Sequence, residues 1–424
     1  MDSENFIENL KRYGILAREG CEFNLPEEAK IKISDATIES IDFDVLQEKG
    51  IKELTIGFSK ISNIKFSNQN DLRIYFVKCN FLDRVIASKC NFEKEVSFNK
   101  AIFQKEASFS NCNFKDKANF KRFISVALSP NDEDYNELNI LFENCIFNKR
   151  ADFHSSKIAN GIYFTDSHFK DYADFHACEF EKNTCFYRVK FEKIPNFSQA
   201  IFKGNLNVVN TNLNFDFEKL ENKVNEEYEE FNKNEEQDEK SLDKFANDFR
   251  DSFRVFKNAL IKDNNPLDAS NFHKYELYCK EIELNSKKPK KFSKEWLDKY
   301  QLIFYRKLCN HHTNLILNLK WLIYVIALYI LLLGKIFFMY PLCIVILMVC
   351  KYFFKIKNIK VFVSLAIIFM SVCSEPKLIF GVSNLFLDDL NWWQNLVTAI
   401  YILTIALVLF SLQKTARKNS IVPS

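Results

Sequence analysis

The most regular feature of the chain is a ladder of apolar positions between residues 81 and 213, spaced alternately six and five residues apart. Eighteen of its 25 positions are phenylalanine, although the whole chain has only 44 phenylalanines in 424 residues. Four more positions are apolar, and only Ser125, Asn131 and Asn136 are polar. We predict that the following phenylalanines form the structural core of one repetitive domain: Phe81, Phe92, Phe98, Phe103, Phe109, Phe114, Phe120, Phe142, Phe147, Phe153, Phe164, Phe169, Phe175, Phe180, Phe186, Phe191, Phe197 and Phe202.

A pattern that repeats every eleven residues fits either a helix or a series of short strands. The residues before each ladder position decide between them. The residue two before is usually Ala or Cys, and the one between is mostly polar, as in Cys90 and Asn91 before Phe92. An order of small, polar and large is the period-two pattern of a strand, and Asn, Asp, Ser and Phe are indifferent helix formers. We therefore predict short strands with a turn after each.

Units such as CysAsnPhe at 90–92 and AlaAspPhe at 151–153 and 173–175 resemble the pentapeptide-repeat family. The resemblance implies a mainly β fold, a right-handed four-sided β-helix in which the phenylalanine and the small residue two before it point inward. This chain departs from the family pattern because every second unit has six residues. If four units make one coil, the coil length is two steps of six and two of five, and residues one coil length apart should stack at about 4.7–4.9 Å.

The stacking rule predicts particular columns of side chains. One column is Phe98, Phe120, Phe142, Phe164 and Phe186. Another is Phe109, Asn131, Phe153, Phe175 and Phe197. The polar segment 121–141 lacks repeat chemistry, so it is either a degenerate coil or a loop that bulges out. Because Phe120 and Phe142 are one coil length apart, we interpret the segment as a degenerate coil.

Four regions follow from the change of pattern along the chain. Residues 1–75 are expected to form an N-terminal helix, at 3–18, and a segment that caps the first coil. Residues 76–215 form the pentapeptide-repeat β-helix. Residues 216–312 contain an acidic linker, a helical hairpin that packs against the last coil or reaches the membrane, and a basic juxtamembrane segment. Residues 313–424 form a transmembrane α-helical domain with a short basic tail.

The last region contains four apolar segments, at 321–333, 336–350 with 352–354, 361–373 and 396–412. The basic and aromatic residues at 287–307 are typical of an interfacial anchor on the cytoplasmic side. The N-terminus is acidic and lacks an apolar run, so we expect no cleavable signal peptide. Basic residues after position 412 place the tail inside as well, which requires an even number of spans. We predict a multi-pass membrane protein of a bacterial inner membrane, with its repeat domain and C-terminus cytoplasmic.

Motifs for chemistry are missing from the sequence. It has no glycine-rich phosphate loop, HExxH or GxSxG motif. Five of its twelve cysteines occupy the small inward position and no CxxC occurs, which is typical of reduced, compact filler residues. His154 and His176 are one coil length apart, but two imidazoles without a third ligand are typical of surface residues. We expect no catalytic residue, no cofactor and no metal, and hence no enzyme.

Three classes of function fit these features. The first is a membrane-tethered scaffold that presents its β-helix to an unidentified protein partner, with the lipid bilayer as its other partner, no nucleic acid, and oligomers allowed. The second is a channel or transporter regulated by the repeat domain, although the apolar segments hold almost no charged residue. The third follows from the family resemblance, which includes DNA mimics that act on topoisomerases. Such a mimic needs a strongly negative rod, whereas residues 76–215 carry roughly balanced charge.

Overall fold

The computed structural model describes residues 3–19, 22–24, 29–126, 139–211, 213, 215–233, 240–333, 359–374 and 390–417. The chain divides into two compact units, Met1–Lys288 and Pro289–Ser424. The first unit contains a β-solenoid of about eight turns and a set of helices. The second contains the apolar helices.

Strands from successive coils pair side by side and build four walls. Wall I consists of Ile15–Glu19, Thr37–Asp42, Lys60–Lys65, Asn80–Phe81, Ile102–Phe103, Ile124–Ser125, Lys157–Ile158, Glu179–Phe180 and Ile201–Phe202. Wall II consists of Val85–Ile86, Ala107–Ser108, Asn139–Leu141, Gly161–Tyr163, Thr184–Cys185 and Leu206–Asn207. Wall III consists of Gln69–Asn70, Asn91–Phe92, Asn113–Phe114, Ile146–Phe147, His168–Phe169 and Lys190–Phe191. Wall IV consists of Glu22–Asn24, Lys30–Ser34, Glu53–Gly57, Arg73–Val77, Val96–Ser97, Ala118–Asn119, Ala151–Asp152 and Ala173–Asp174.

The predicted four-sided β-helix is confirmed, and most of the coils in the ladder have the predicted length. Asn91 pairs with Asn113 on wall III, and Val85 pairs with Ala107 on wall II. Seventeen of the eighteen ladder phenylalanines are buried, and Phe202 is half-buried. Rings one coil apart stack almost parallel, with centroids 4.5 Å apart at the closest and 5.3 Å at the widest. The interior of walls III and IV is therefore lined by unbroken aromatic columns, whereas the column of wall I is interrupted by Ser125 and Ile158.

The alternation of five and six residues reflects two kinds of corner. In most five-residue steps the chain makes a hydrogen-bonded turn, as between Ala101 N and Phe98 O at 3.1 Å. The third residue of that turn has positive φ, for example Lys100 at 56° and Asn111 at 61°, as a type II turn requires. The six-residue steps that the structure describes have one residue more and contain no residue with positive φ. The sequence period thus follows from turn geometry.

The predicted columns are wrong across the segment 121–141, although Phe142, Phe164 and Phe186 stack in the predicted order after it. The parallel stacking partner of Phe120 is Phe153, at 5.3 Å and 6°, while Phe142 stacks on Phe109, at 5.1 Å and 7°. Strand partners across this coil are one and a half coil lengths apart, since Ala118 pairs with Ala151. The coil therefore has eleven extra residues rather than being the degenerate coil of ordinary length that we expected. Eleven residues are half a coil. The alternating spacing of the ladder therefore continues unchanged, while each later ladder residue lies on the wall opposite to the predicted one.

Of the three polar positions predicted for the ladder, one precedes the extra length and two fall within it. Asn131 and Asn136 lie outside the described residues. Ser125 is buried on wall I, and its hydroxyl accepts a hydrogen bond from Ala159 N at 3.0 Å. A polar side chain at an inward position is thus satisfied by the backbone of the next coil.

Coils also extend N-terminal to the phenylalanine ladder, back to Lys30. Their lengths are less regular, because the step from Ile33 to its strand partner Ile56 is longer than the step from Ile56 to its next partner, Phe76. Helix α1 (Ser3–Arg12) precedes two strands that pair antiparallel with the first coil. These strands cover an edge that would otherwise expose unpaired backbone groups. Helix α2 (Phe43–Glu48) is inserted in the same region.

The C-terminal end of the solenoid is covered by helices α3 (Phe217–Asn232), α4 (Leu242–Lys262) and α5 (Pro266–Lys287). Of the two placements predicted for the hairpin, α4 and α5 pack against the last coil. The ring of Phe256 lies 4.9 Å from that of Phe197. Phe197 N donates a hydrogen bond to Ser252 Oγ at 2.8 Å, and Tyr275 Oη donates one to Leu213 O at 2.7 Å.

The second unit contains helices α6 (Lys294–Cys309), α7 (Leu315–Leu333), α8 (Ile359–Ser374) and α9 (Trp392–Ala416). Two of them, α7 and α9, are long and apolar enough to cross a membrane, and α8 contains a shorter apolar stretch. They coincide with the predicted segments 321–333, 396–412 and 361–373, while the segment at 336–350 with 352–354 lies outside the described residues.

Helices α7 and α9 pack antiparallel along their whole length. Tyr329 stacks on Tyr401 with 3.8 Å between ring centroids. Asn318 Nδ2 donates to Ser411 Oγ at 2.9 Å near one end of the pair. Such interhelical hydrogen bonds between buried polar side chains are typical of helices packed in a membrane.

Candidate functional site

A partly enclosed polar pocket lies on wall IV of the first unit. Helices α3 and α4 lie opposite the wall and leave a cavity of about 530 Å³. The helices contribute apolar rings, including Phe231, Phe245 and Phe249. The wall contributes basic, acidic and imidazole side chains, among them Arg150 and Asp152. The helical side also carries the ion pair of Lys240 with Asp248, so both sides of the pocket hold charged groups.

The polar side of the pocket is built by a repeated tetrapeptide. The sequence AlaAspPheHis occurs at 151–154 and again at 173–176. Asp152 pairs directly with Asp174 on adjacent parallel strands. Between them on the inner side, the rings of Phe153 and Phe175 stack at 5.0 Å. The inward residues therefore hold the two outward aspartates one above the other.

The two histidines of the repeat have different partners. His154 Nδ1 lies 2.6 Å from Asp152 Oδ1, within its own tetrapeptide. His176 Nδ1 lies 2.9 Å from Ser198 Oγ on the following coil. Only the first imidazole of this pair is therefore turned toward a carboxylate. Asp152, His154 and Asp174 each offer one ligand atom, and these atoms lie within 4.8 Å of one another.

A single guanidinium serves both carboxylates. Arg150 Nη2 lies 3.4 Å from Asp174 Oδ2 and 3.8 Å from Asp152 Oδ2. The guanidinium carbon also lies 5.3 Å from the ring centroid of Tyr172, in a cation–π arrangement. The two aspartates thus share one positive charge, which leaves the stacked pair with excess negative charge.

The environment moves the pKa values of the two carboxyl groups in opposite directions. Burial raises the pKa of Asp174, and the negative charge of Asp152 raises it further, despite Arg150. Burial also tends to raise the pKa of Asp152, but the hydrogen bond from His154 and the charge of Arg150 outweigh it and lower that pKa. Two carboxylates this close cannot both ionise at their ordinary values. Asp174 therefore binds a proton more readily than Asp152 does.

The structure places the residues singled out in the sequence on two different surfaces. The ladder phenylalanines line the interior and take no part in the pocket. Cys90, Cys112 and Cys145 also point inward and are buried. His154 and His176 lie on the outer wall, where a spacing of one coil length places them. Asp152 and Asp174 were not singled out as a site, although the duplicated tetrapeptide was the signal for them.

The fold and the helices after it define a class, that of β-solenoid proteins with apolar C-terminal helices. Within that class, residues 76–122 match the family of pentapeptide repeats, with nine copies. The coils at 76–122 are thus similar to pentapeptide repeats, as the resemblance implied. Comparison with curated proteins and with solved structures gives no match for the chain.

Proposed function

We propose that this protein is a membrane-anchored, non-enzymatic scaffold whose solenoid walls bind a protein partner. The observation that carries the proposal is the filled interior, in which aromatic rings stack from coil to coil along walls III and IV, as from Phe92 through Phe114 and Phe147. Such a core is rigid, so the walls present side chains at fixed positions. The β-solenoid of this family is generally a non-enzymatic scaffold.

The outer walls carry charges of both signs, which favours a protein partner. Pairs that link successive coils include Lys115 with Glu93 and Arg188 with Asp166, each at 2.6 Å. Exposed pairs of this kind contribute only about 0–1 kcal/mol each to stability. They do give a surface a definite charge pattern, which governs the choice of partner. A surface of alternating charge does not resemble the continuous negative charge of a duplex.

The second unit supports attachment to a membrane. Helices α7 and α9 have the length and composition of spanning helices. Earlier in the sequence, Phe292 and Tyr300 are exposed, at 82% and 50% of their surface, among basic residues in and just before α6. Aromatic and basic side chains beside an apolar helix favour the interface of an anionic membrane.

The scaffold proposal is tested by photo-crosslinking in intact cells. A photoreactive amino acid replaces one exposed isoleucine on each of three walls, Ile124 on wall I, Ile86 on wall II and Ile146 on wall III. We expect an adduct of defined mass from one wall and none from the other two, since a rigid rod offers one face to its partner. The absence of an adduct at all three positions would contradict a partner on walls I, II and III.

We also propose that the solenoid and the C-terminus both lie on the cytoplasmic side of a bacterial inner membrane, with an even number of spans. The basic residues at both ends of the apolar region support this. A cysteine at Asn384 should react with a membrane-impermeant thiol reagent in intact cells that express a variant without native cysteines. A cysteine at Ser420 serves as the matched position and should not react. Labelling of Ser420→Cys from outside would overturn this topology.

A further inference from the structure

We propose that the duplicated AlaAspPheHis units form a site for one divalent transition-metal ion of the Mn²⁺, Fe²⁺ or Zn²⁺ class. The ligands are the side chains of Asp152, His154 and Asp174, whose ligand atoms lie within 4.8 Å of one another. Two carboxylates and one imidazole suit these ions better than Ca²⁺, which prefers oxygen ligands alone. The site goes beyond the scaffold function and does not depend on it.

The fold holds the three side chains in place before any ion binds. Asp152 and Asp174 lie directly opposite each other on neighbouring strands of wall IV, which are about 4.8 Å apart. The stacked rings of Phe153 and Phe175 lock the backbone beneath them. An ion that binds two carboxylate oxygens at about 2.0–2.2 Å each needs the two side chains at about this separation.

The imidazole is already directed at the carboxylates. Asp152 Oδ1 accepts a hydrogen bond from His154 N at 3.1 Å and contacts His154 Nδ1 at 2.6 Å. This double contact keeps the ring beside Asp152 and Asp174. His176, by contrast, is engaged by Ser198, so we do not include it among the ligands.

The two aspartates also attract positive charge. Asp174 has only 8% of its surface exposed, and a buried carboxylate needs a counter-charge. In the described structure Arg150 supplies it, at 3.4 Å from Asp174 Oδ2. A metal ion therefore competes with Arg150 for the same carboxylate group. The cavity of about 530 Å³ leaves room for waters, which occupy about 30 Å³ each, to complete the coordination.

The experiment is a Mn²⁺ titration of the purified full-length protein in detergent, followed by the loss of the electron paramagnetic resonance signal of the free ion. Mn²⁺ is chosen because carboxylate and imidazole bind it while thiols, of which this chain has many, prefer softer ions. We expect one ion per chain. Asp174→Asn and His154→Gln should each weaken binding by about tenfold or more.

The matched control is His168→Gln. His168 also contacts a carboxylate, Glu192, at 2.9 Å, but it lies on wall III away from the stacked aspartates, so its loss should leave the affinity unchanged. Arg150→Gln should tighten binding, since it removes the competing charge.

Three results would overturn the proposal. The first is no saturable binding to the wild type. The second is an equal affinity in the wild type and in His154→Gln, which remains informative if Asp174→Asn does not fold. The third is an unchanged affinity in Arg150→Gln, because the ion would then not lie between the two carboxylates.

Discussion

The inner and outer faces of the same coils follow different periods. On the inside, a phenylalanine returns every five or six residues, so the pattern repeats after eleven. On the outside, the AlaAspPheHis unit returns only after a whole coil, and the charged residues follow no eleven-residue repeat. Opposite walls, such as wall I and wall III, therefore have the same pattern of inward-facing residues. Their outward-facing residues differ from wall to wall. The inner pattern determines the fold, and the outer pattern determines which residues meet at a site.

The extra length between Val126 and Asn139 shows the consequence. An insertion of eleven residues does not change the spacing of the inner ladder. Phe142 therefore falls on an inward position both with and without the extra residues. The insertion nevertheless moves every later strand by half a coil. Asp152 thereby joins wall IV above Asn119 and not the opposite wall.

The largest effect on stability is expected for residues inside the solenoid. Phe164 is fully buried and stacks on Phe142 at 5.2 Å and on Phe186 at 4.9 Å. Phe164→Ala should lower the free energy of unfolding by about 3–5 kcal/mol, because it leaves a cavity in a rigid column.

Asp166→Asn is the matched substitution on the outer face, two residues further along the chain. It removes only an exposed pair with Arg188 and should cost under about 1 kcal/mol. Equal costs would mean that the inward assignment is wrong. Chemical denaturation measures both.

An intermediate effect on stability is expected where charged side chains are partly buried in the helical hairpin. Burial tends to raise the pKa of Glu276 in the helical hairpin, but hydrogen bonds from His273, Lys257 and Arg254 lower it from 4.5 to about 2. Because the folded pKa is lowered, this carboxylate stabilises the fold above pH 4.5, and the contribution is lost as the pH falls toward 2. It amounts to about 3 kcal/mol, at about 1.4 kcal/mol for each unit of pKa.

The comparison of Glu276→Gln with Glu181→Gln checks this pH dependence. Glu276→Gln should lower the melting temperature at pH 7 and should lose less stability than the wild type between pH 5 and pH 2. Glu181 makes an exposed pair with Lys203, and its substitution should leave the pH profile unchanged. A wild-type profile in Glu276→Gln would refute the assignment.

A smaller effect is expected where the hairpin meets the last coil. Ser252 Oγ accepts the hydrogen bond of Phe197 N in a buried contact. Ser252→Ala leaves that amide unpaired and should cost about 1–3 kcal/mol. Ser270→Ala, in the neighbouring helix, removes a hydroxyl that bonds within its own helix and should cost less. If the two variants melt alike, the cap does not depend on this contact.

Much of the fold follows from the sequence because the inner positions are chemically uniform. Cys90, Asn91 and Phe92 already show which side chains point in. The left-handed residues at the five-residue corners were not predictable, since Lys100 and Arg188 are not residues that favour positive φ. The tertiary structure imposes that conformation on whatever residue stands there.

The pocket could be predicted only in part. The spacing of His154 and His176 places both on one wall, but it does not show that α3 and α4 lie across from them. Nor does it show that Arg150 bridges Asp152 and Asp174, because that contact depends on side-chain direction. Packing between distant segments of the chain is decided by the folded structure rather than by a local pattern.

The register across the extra eleven residues is tested most directly by cysteine crosslinking on wall I. Ile124 pairs with Lys157, one and a half coil lengths along the sequence, whereas a coil of ordinary length would place Ile124 beside Ile146. All three side chains are exposed. In a background without native cysteines, Ile124→Cys with Lys157→Cys should crosslink rapidly with a short bifunctional thiol reagent, and Ile124→Cys with Ile146→Cys should not. Crosslinking of the second pair but not the first would contradict the register of every coil after Phe123.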